Sequence, residues 1–155
     1  MTIRAIPARL PILTAVAFLL FCGAPYRAQA QEMKLQGFLL WGTDETKPPA
    51  EKNYQPADAE IRRKLKDLPL KWTNWFEVKR VDFPVASGAA KEVSFSDQCQ
   101  VKVQRLNASE LEVALIGRGK EVVKRKQVLP KGETLFLGGN APNSTCWMVA
   151  LKRIE

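Results

Sequence analysis

The stretch from Cys99 to Leu115 sets the terms for the whole chain. In its first half Cys99, Val101 and Val103 alternate with Gln100, Lys102 and Gln104; in its second half Leu111, Val113 and Leu115 alternate with Glu112 and Ala114. Successive side chains leave a strand on opposite faces, so a period of two marks half-buried strands. Between the halves lie Asn107, Ala108 and Ser109, which tolerate a tight reversal, and the spacing predicts an antiparallel hairpin. One face of that hairpin is apolar and has to be covered. A single sheet cannot cover itself, so the fold needs a second layer.

The rest of the carboxyl half repeats this kind of unit. Lys91 to Phe95 alternates, Gly117-Arg118-Gly119 reverses the chain, and Lys120 to Leu129 returns with Lys124, Arg125 and Lys126 adjacent, which suits an edge strand. Pro130-Lys131-Gly132 turns the chain into Glu133 to Leu137, and Gly138 to Ser144 is expected as a longer loop. Cys146 to Ile154 sets Trp147, Val149 and Leu151 against Met148 and Ala150, a strand for the middle of a sheet.

Toward the amino end, Glu32 to Trp41 begins by alternating and turns continuously apolar, a strand buried on both faces at its end. Residues 42–56 hold Pro48, Pro49 and Pro56 among charges and are expected as an extended linker. Residues 57–68 form the one convincing helix, opened by Pro56 and closed by Pro69, with Ala57, Ile61, Leu65 and Leu68 as its apolar stripe. Acids at its start, cations toward its end, and Glu60 one turn before Lys64 all favour it. Leu70 to Phe83 carries Trp72, Trp75 and Phe76, and Pro84 is expected to end that segment. Seven or eight short strands and one short amphipathic helix predict a mainly β domain, an antiparallel β-sandwich or partly open barrel, over residues 31–155.

Residues 1–30 read as a cleaved export signal: Arg4 and Arg9, an apolar run from Ile12 to Cys22, and Ala28-Gln29-Ala30 as the cleavage site. The apolar run is short for a membrane span, and none is expected in the mature chain. Removing this segment, with Arg4, Arg9 and Arg27 and no acid, lowers the formal charge from +8 to +5. A moderate positive excess outside the cytoplasm favours anionic polymers and makes nucleic acid an unexpected partner.

The chain has no histidine, which excludes a Ser-His-Asp triad and His-ligated zinc. The acids are scattered, and no cofactor or metal site is expected. Cys99 and Cys146 are the only thiols after residue 30, and two readings stand: a disulfide of the exported protein, or two small buried hydrophobes. Trp72 and Trp75, with Lys79 and Arg80 nearby, have the composition of a platform that stacks rings and holds anions, or of a core. Lys124, Arg125 and Lys126 would be an anion-binding strip or the protection of a free edge. Asn107-Ala108-Ser109 and Asn143-Ser144-Thr145 match the N-glycosylation pattern.

Lys131 to Gly139 resembles the Gly-x-x-Leu-x-Leu-Gly-Gly hairpin of outer-membrane secretin channels. The likeness covers nine residues and is one of turn chemistry, since the chain is far too short for a secretin and lacks its amphipathic membrane strands.

These features lead to an expectation of an exported, periplasmic or extracellular, non-enzymatic envelope protein that docks to a protein partner. The alternative is a module binding acidic glycans or envelope polymers through its aromatic and basic residues. A carboxylate-dependent hydrolase, with Glu112 as the acid to replace by Gln, is the enzymatic alternative.

Overall fold

The computed structural model describes residues 31–141 and 143–155. The expected export signal, Cys22 included, lies outside these residues. In chain order the elements are β1 (Met33–Thr43), β2 (Gln55–Pro56), α1 (Ala59–Lys66), β3 (Asn74–Val85), β4 (Ala90–Ser96), β5 (Cys99–Arg105), β6 (Glu110–Gly117), β7 (Lys120–Val128), β8 (Thr134–Asn140) and β9 (Cys146–Arg153).

The predicted hairpin is β5 and β6, with Val101 opposite Leu115, Val103 opposite Val113 and Arg105 opposite Leu111. The Asn107 carboxamide oxygen accepts the N–H groups of Ser109 and Glu110 and so shapes the reversal. Flanked by β4 and β7, the hairpin forms a four-stranded antiparallel sheet in the order β4-β5-β6-β7. Its second layer is a five-stranded antiparallel sheet in the order β2-β3-β1-β9-β8. The sheets do not close on each other, so the fold is a sandwich and not a barrel.

Between the sheets lies one apolar core. Met33, Leu35, Leu39, Phe83, Val149 and Leu151 of the larger sheet meet Phe95, Val101, Val103, Leu111 and Val113 of the smaller. β1 and β9 are also apolar on their other face, because the larger sheet is covered twice. On its outer side Phe38, Leu40, Met148 and Ala150 pack against Ile61 and Leu65 of α1 and against Trp72 and Trp75. The continuous apolar run in β1 therefore reports a third layer.

The helix is shorter than its sequence pattern. Asp58 caps it, its carboxylate accepting the N–H groups of Glu60 and Ile61, so Ala57 is a buried contact outside the first turn. Pro56 belongs to β2. The Glu60–Lys64 pair forms at 3.5 Å, and Glu60 also pairs with Lys152 of β9. Lys64 donates to the Gly132 carbonyl at 3.0 Å, and together these bonds stake the helix across β9 and the approach to β8.

Three expected boundaries differ. Pro84 does not end its segment: β3 continues to Val85, and since β2 reaches only Phe76 and Glu77, β3 is an edge there, where proline is tolerated. The linker is shorter than residues 42–56, because β1 runs to Thr43 and β2 takes its last two residues. Gly138 and Gly139 lie in β8 and not in a loop; a Cβ on Gly138 would stand 2.6 Å from the Trp147 carbonyl oxygen, so only glycine lets β8 approach β9 there. Among the described residues no helix is long and apolar enough to cross a membrane.

Candidate functional site

Trp72 and Trp75 belong to the outer core, 8% and 5% exposed. Their rings meet edge to face at 6.2 Å, and the Trp72 indole N–H donates to the Ser144 carbonyl at 2.7 Å. Lys71 stands 5.0 Å over the Trp72 ring. A hollow of about 780 Å³ lies above these rings with Arg62, Arg63 and Lys66 of α1 on its rim. Neither Lys79 nor Arg80 lines it. Lys79 reaches across the seam between the sheets to the Ser94 carbonyl at 3.3 Å. Arg80 lies over Phe38 at 4.8 Å and makes a two-pronged pair with Glu77, at 3.0 and 2.8 Å. The expected aromatic and basic platform is thus dispersed into packing contacts.

Lys124, Arg125 and Lys126 are split by the strand's own period. Lys126 stands opposite Glu112 and Lys124 opposite Ala114 on the outer face, while Arg125 stands opposite Val113, on the face that looks toward the other sheet. Glu112 pairs with Lys124 at 2.9 Å. The hydrogen bond from Lys124 holds the Glu112 carboxyl below its usual range, helped by the charges of Lys124, Lys126 and Lys102. The strip is therefore a partly neutralised charge ladder on an edge strand.

Both cysteines are free. Cys99 packs against the inter-sheet core and Cys146 lies in the outer core, on the opposite side of the larger sheet, so the sheet itself separates them. Burial pushes the Cys146 thiol up to about 11 and raises Cys99 as well, the opposite of what a reactive thiolate needs.

The open surface is elsewhere. Phe76, Trp41, Trp147 and Gly139 stand in one row across β3, β1, β9 and β8. Counting by twos from Leu39 and Val149 places Trp41 and Trp147 on the inner face of the larger sheet, at the end of the sandwich. Trp41 is covered by Phe76 and by Tyr54 of the linker, each at 5.9 Å. Among the described residues no aromatic ring covers Trp147 in this way: its neighbour on β8 is a glycine, and it is 39% exposed. Across from it, the smaller sheet contributes Cys99, Leu115 and Val122 to a cleft of about 950 Å³, in the range of small-ligand sites.

Two turns make the rim of this cleft. Arg118 and Gly119 both take positive φ, 51° and 75°, the geometry of a two-residue hairpin turn whose first position rarely holds a residue like arginine. The Arg118 N–H donates to the Gln98 carbonyl at 2.8 Å and ties this turn to the β4–β5 turn. Lys52 and Asn143 approach from the other sheet's side. Among the described residues neither Lys52, Arg118 nor Asp97 of the rim enters an ion pair.

The apolar pattern of residues 146–154 places Trp147 on a buried strand face, whereas in the fold its indole is exposed. The signal was in the paired glycines, which leave nothing beside the indole once β8 and β9 are read as a hairpin. Comparison of the chain with protein-family models, with curated proteins and with solved structures finds no match.

Proposed function

We propose that the protein is an exported, non-enzymatic binding module that works through the open end of its sandwich. The observation that carries this reading is the exposed indole of Trp147 on the floor of an apolar cleft, in a fold that buries its other three tryptophans. Large apolar side chains left uncovered beside convergent polar groups favour recognition. The non-enzymatic part draws support from chemistry: the two thiols are pushed toward their neutral form, and Glu112 is held ionised by lysines.

The test is capture from a native envelope extract by the mature protein and by Trp147→Ala. The reading expects the parent's bound material to be lost with Trp147→Ala and kept with Lys124→Glu. Full retention by Trp147→Ala contradicts it.

A second reading, docking to an envelope protein by an added strand, is favoured by one observation. β8 is an edge strand with no charged residue and no proline, whereas β7, the other edge on that flank, carries Lys120, Glu121, Lys124, Arg125 and Lys126. Strand addition would slow amide exchange along β8 in the presence of the captured partner; unchanged exchange there removes this reading.

A further inference from the structure

Resting on the open-end cleft as the binding site, we propose that its ligand is an acidic saccharide, one sugar ring stacked on Trp147 and its carboxylate met at the rim by Lys52 and Arg118. The floor offers a flat apolar surface of one ring's width. A Cβ built on Gly139 meets nothing within 4 Å, so the space beside the indole is open on that side. A sugar ring has an apolar face of hydrogens that matches an indole and an edge of hydroxyls that has to be hydrogen-bonded.

The rim supplies partners for those hydroxyls in both senses. Ser96 Oγ already accepts the Gln98 N–H at 3.2 Å, which leaves its hydrogen to donate. Asn143 Oδ1 accepts the Thr145 hydroxyl at 2.6 Å, which leaves its amide N–H groups to donate. The Gln98 carboxamide offers both a donor and an acceptor, and the Asp97 carboxylate only accepts. A plain aromatic acid would leave most of these groups unmatched, whereas a hydroxyl-rich ring uses them.

The charge argument then separates acidic from neutral sugars. The rim holds two cations, Lys52 and Arg118, against one acid, Asp97. Arg118 is held in a left-handed backbone conformation by its tie to Gln98, a position where asparagine or glycine would be easier. Its guanidinium suits a carboxylate because the two can meet through paired parallel hydrogen bonds.

Calorimetric titration of the mature protein with an oligogalacturonide, its fully methyl-esterified form and benzoate tests the proposal. Ring and hydroxyls are common to the first two, and the carboxylate is common to the first and third. The acidic oligosaccharide is expected to bind about fivefold or more tightly than the ester, with affinity falling as salt is added. Trp147→Ala should weaken it about tenfold, with Trp147→Phe retaining most of the affinity. Arg118→Asn, which tolerates the turn, should bring the acid close to the ester and flatten the salt dependence. If the ester binds as well as the acid and Trp147→Ala removes both, the cleft stands as the site and the acidic inference falls. If benzoate binds as tightly as the oligogalacturonide, or no saccharide binds, the inference is overturned, and the envelope capture then judges the site alone. Undiminished saccharide binding by Trp147→Ala overturns both.

Discussion

Gly37 shows how closely the two sheets are fitted. A Cβ there would stand 2.5 Å from Cζ of Phe95, which crosses from β4 into the core between the sheets. The ring is buried in that core and would have to shift, so Gly37→Ala is expected to cost about 1–3 kcal/mol, read as a lower urea midpoint with unchanged slope. Gly42 plays the same part on the outer face, where its missing Cβ leaves 2.6 Å to the Trp75 ring. At Glu60, the hydrogen bond from Lys152 holds the carboxyl below its usual value of 4.5, with the charges of Lys152 and Lys64 adding to it. A carboxyl depressed in the folded state stabilises the fold above its unfolded pKa and loses that contribution as pH falls through the folded one. Glu60→Gln is thus expected to lower the melting temperature at neutral pH, with the gap to the parent closing as pH falls below 4.5. A gap that stays constant into acid would contradict the assignment.

At the scale of elements, α1 depends on its cap. Asp58→Ala removes the acceptor for two N–H groups and is expected to cost about 1 kcal/mol, measured by the same denaturation. β7 is exposed along almost its whole length, with Arg125 and Gln127 at the positions that face inward and Val122 58% exposed. Inward-pointing polar side chains on an overhanging strand prevent edge-to-edge pairing. Replacing Arg125 and Gln127 together by Val is expected to produce stronger concentration-dependent association in sedimentation than the parent measured alongside; equal behaviour of the two would contradict this role for β7.

The β5–β6 hairpin was legible from its period of two and the turn residues between its halves, the inner place of β9 from apolar residues on both faces, and the edge place of β7 from its adjacent cations. What was not legible rests on partners far along the chain. The glycines at 138 and 139 signal a turn locally, yet both pair with β9, and at Gly138 a side chain would strike its backbone. Likewise the cations at 124–126 are neighbours in sequence but face opposite ways, and the exposure of Trp147 depends on Gly139 and on where the smaller sheet ends.

In the whole molecule, two apolar cores share one central sheet: the inter-sheet core on one side, the outer core with α1 on the other. Cys99 and Cys146 fall on opposite sides of that sheet, so mass spectrometry of the unreduced, denatured protein is expected to find both thiols alkylated. The proposed export, in turn, predicts a native product that begins at Gln31, and an intact mass that retains Met1 would contradict it. At the end of the sandwich, among the described residues, the inner face of the shared sheet leaves Trp147 open, and the proposed binding role follows from that gap. The chain's tryptophans allow a direct reading of it. Steady-state quenching by acrylamide on the parent, Trp147→Phe and Trp75→Phe should show a red-shifted, readily quenched component in the parent that survives Trp75→Phe and disappears in Trp147→Phe. If the quenchable component instead persists without Trp147 and is lost with Trp75, the open surface lies over the helix, and the cleft is not the site.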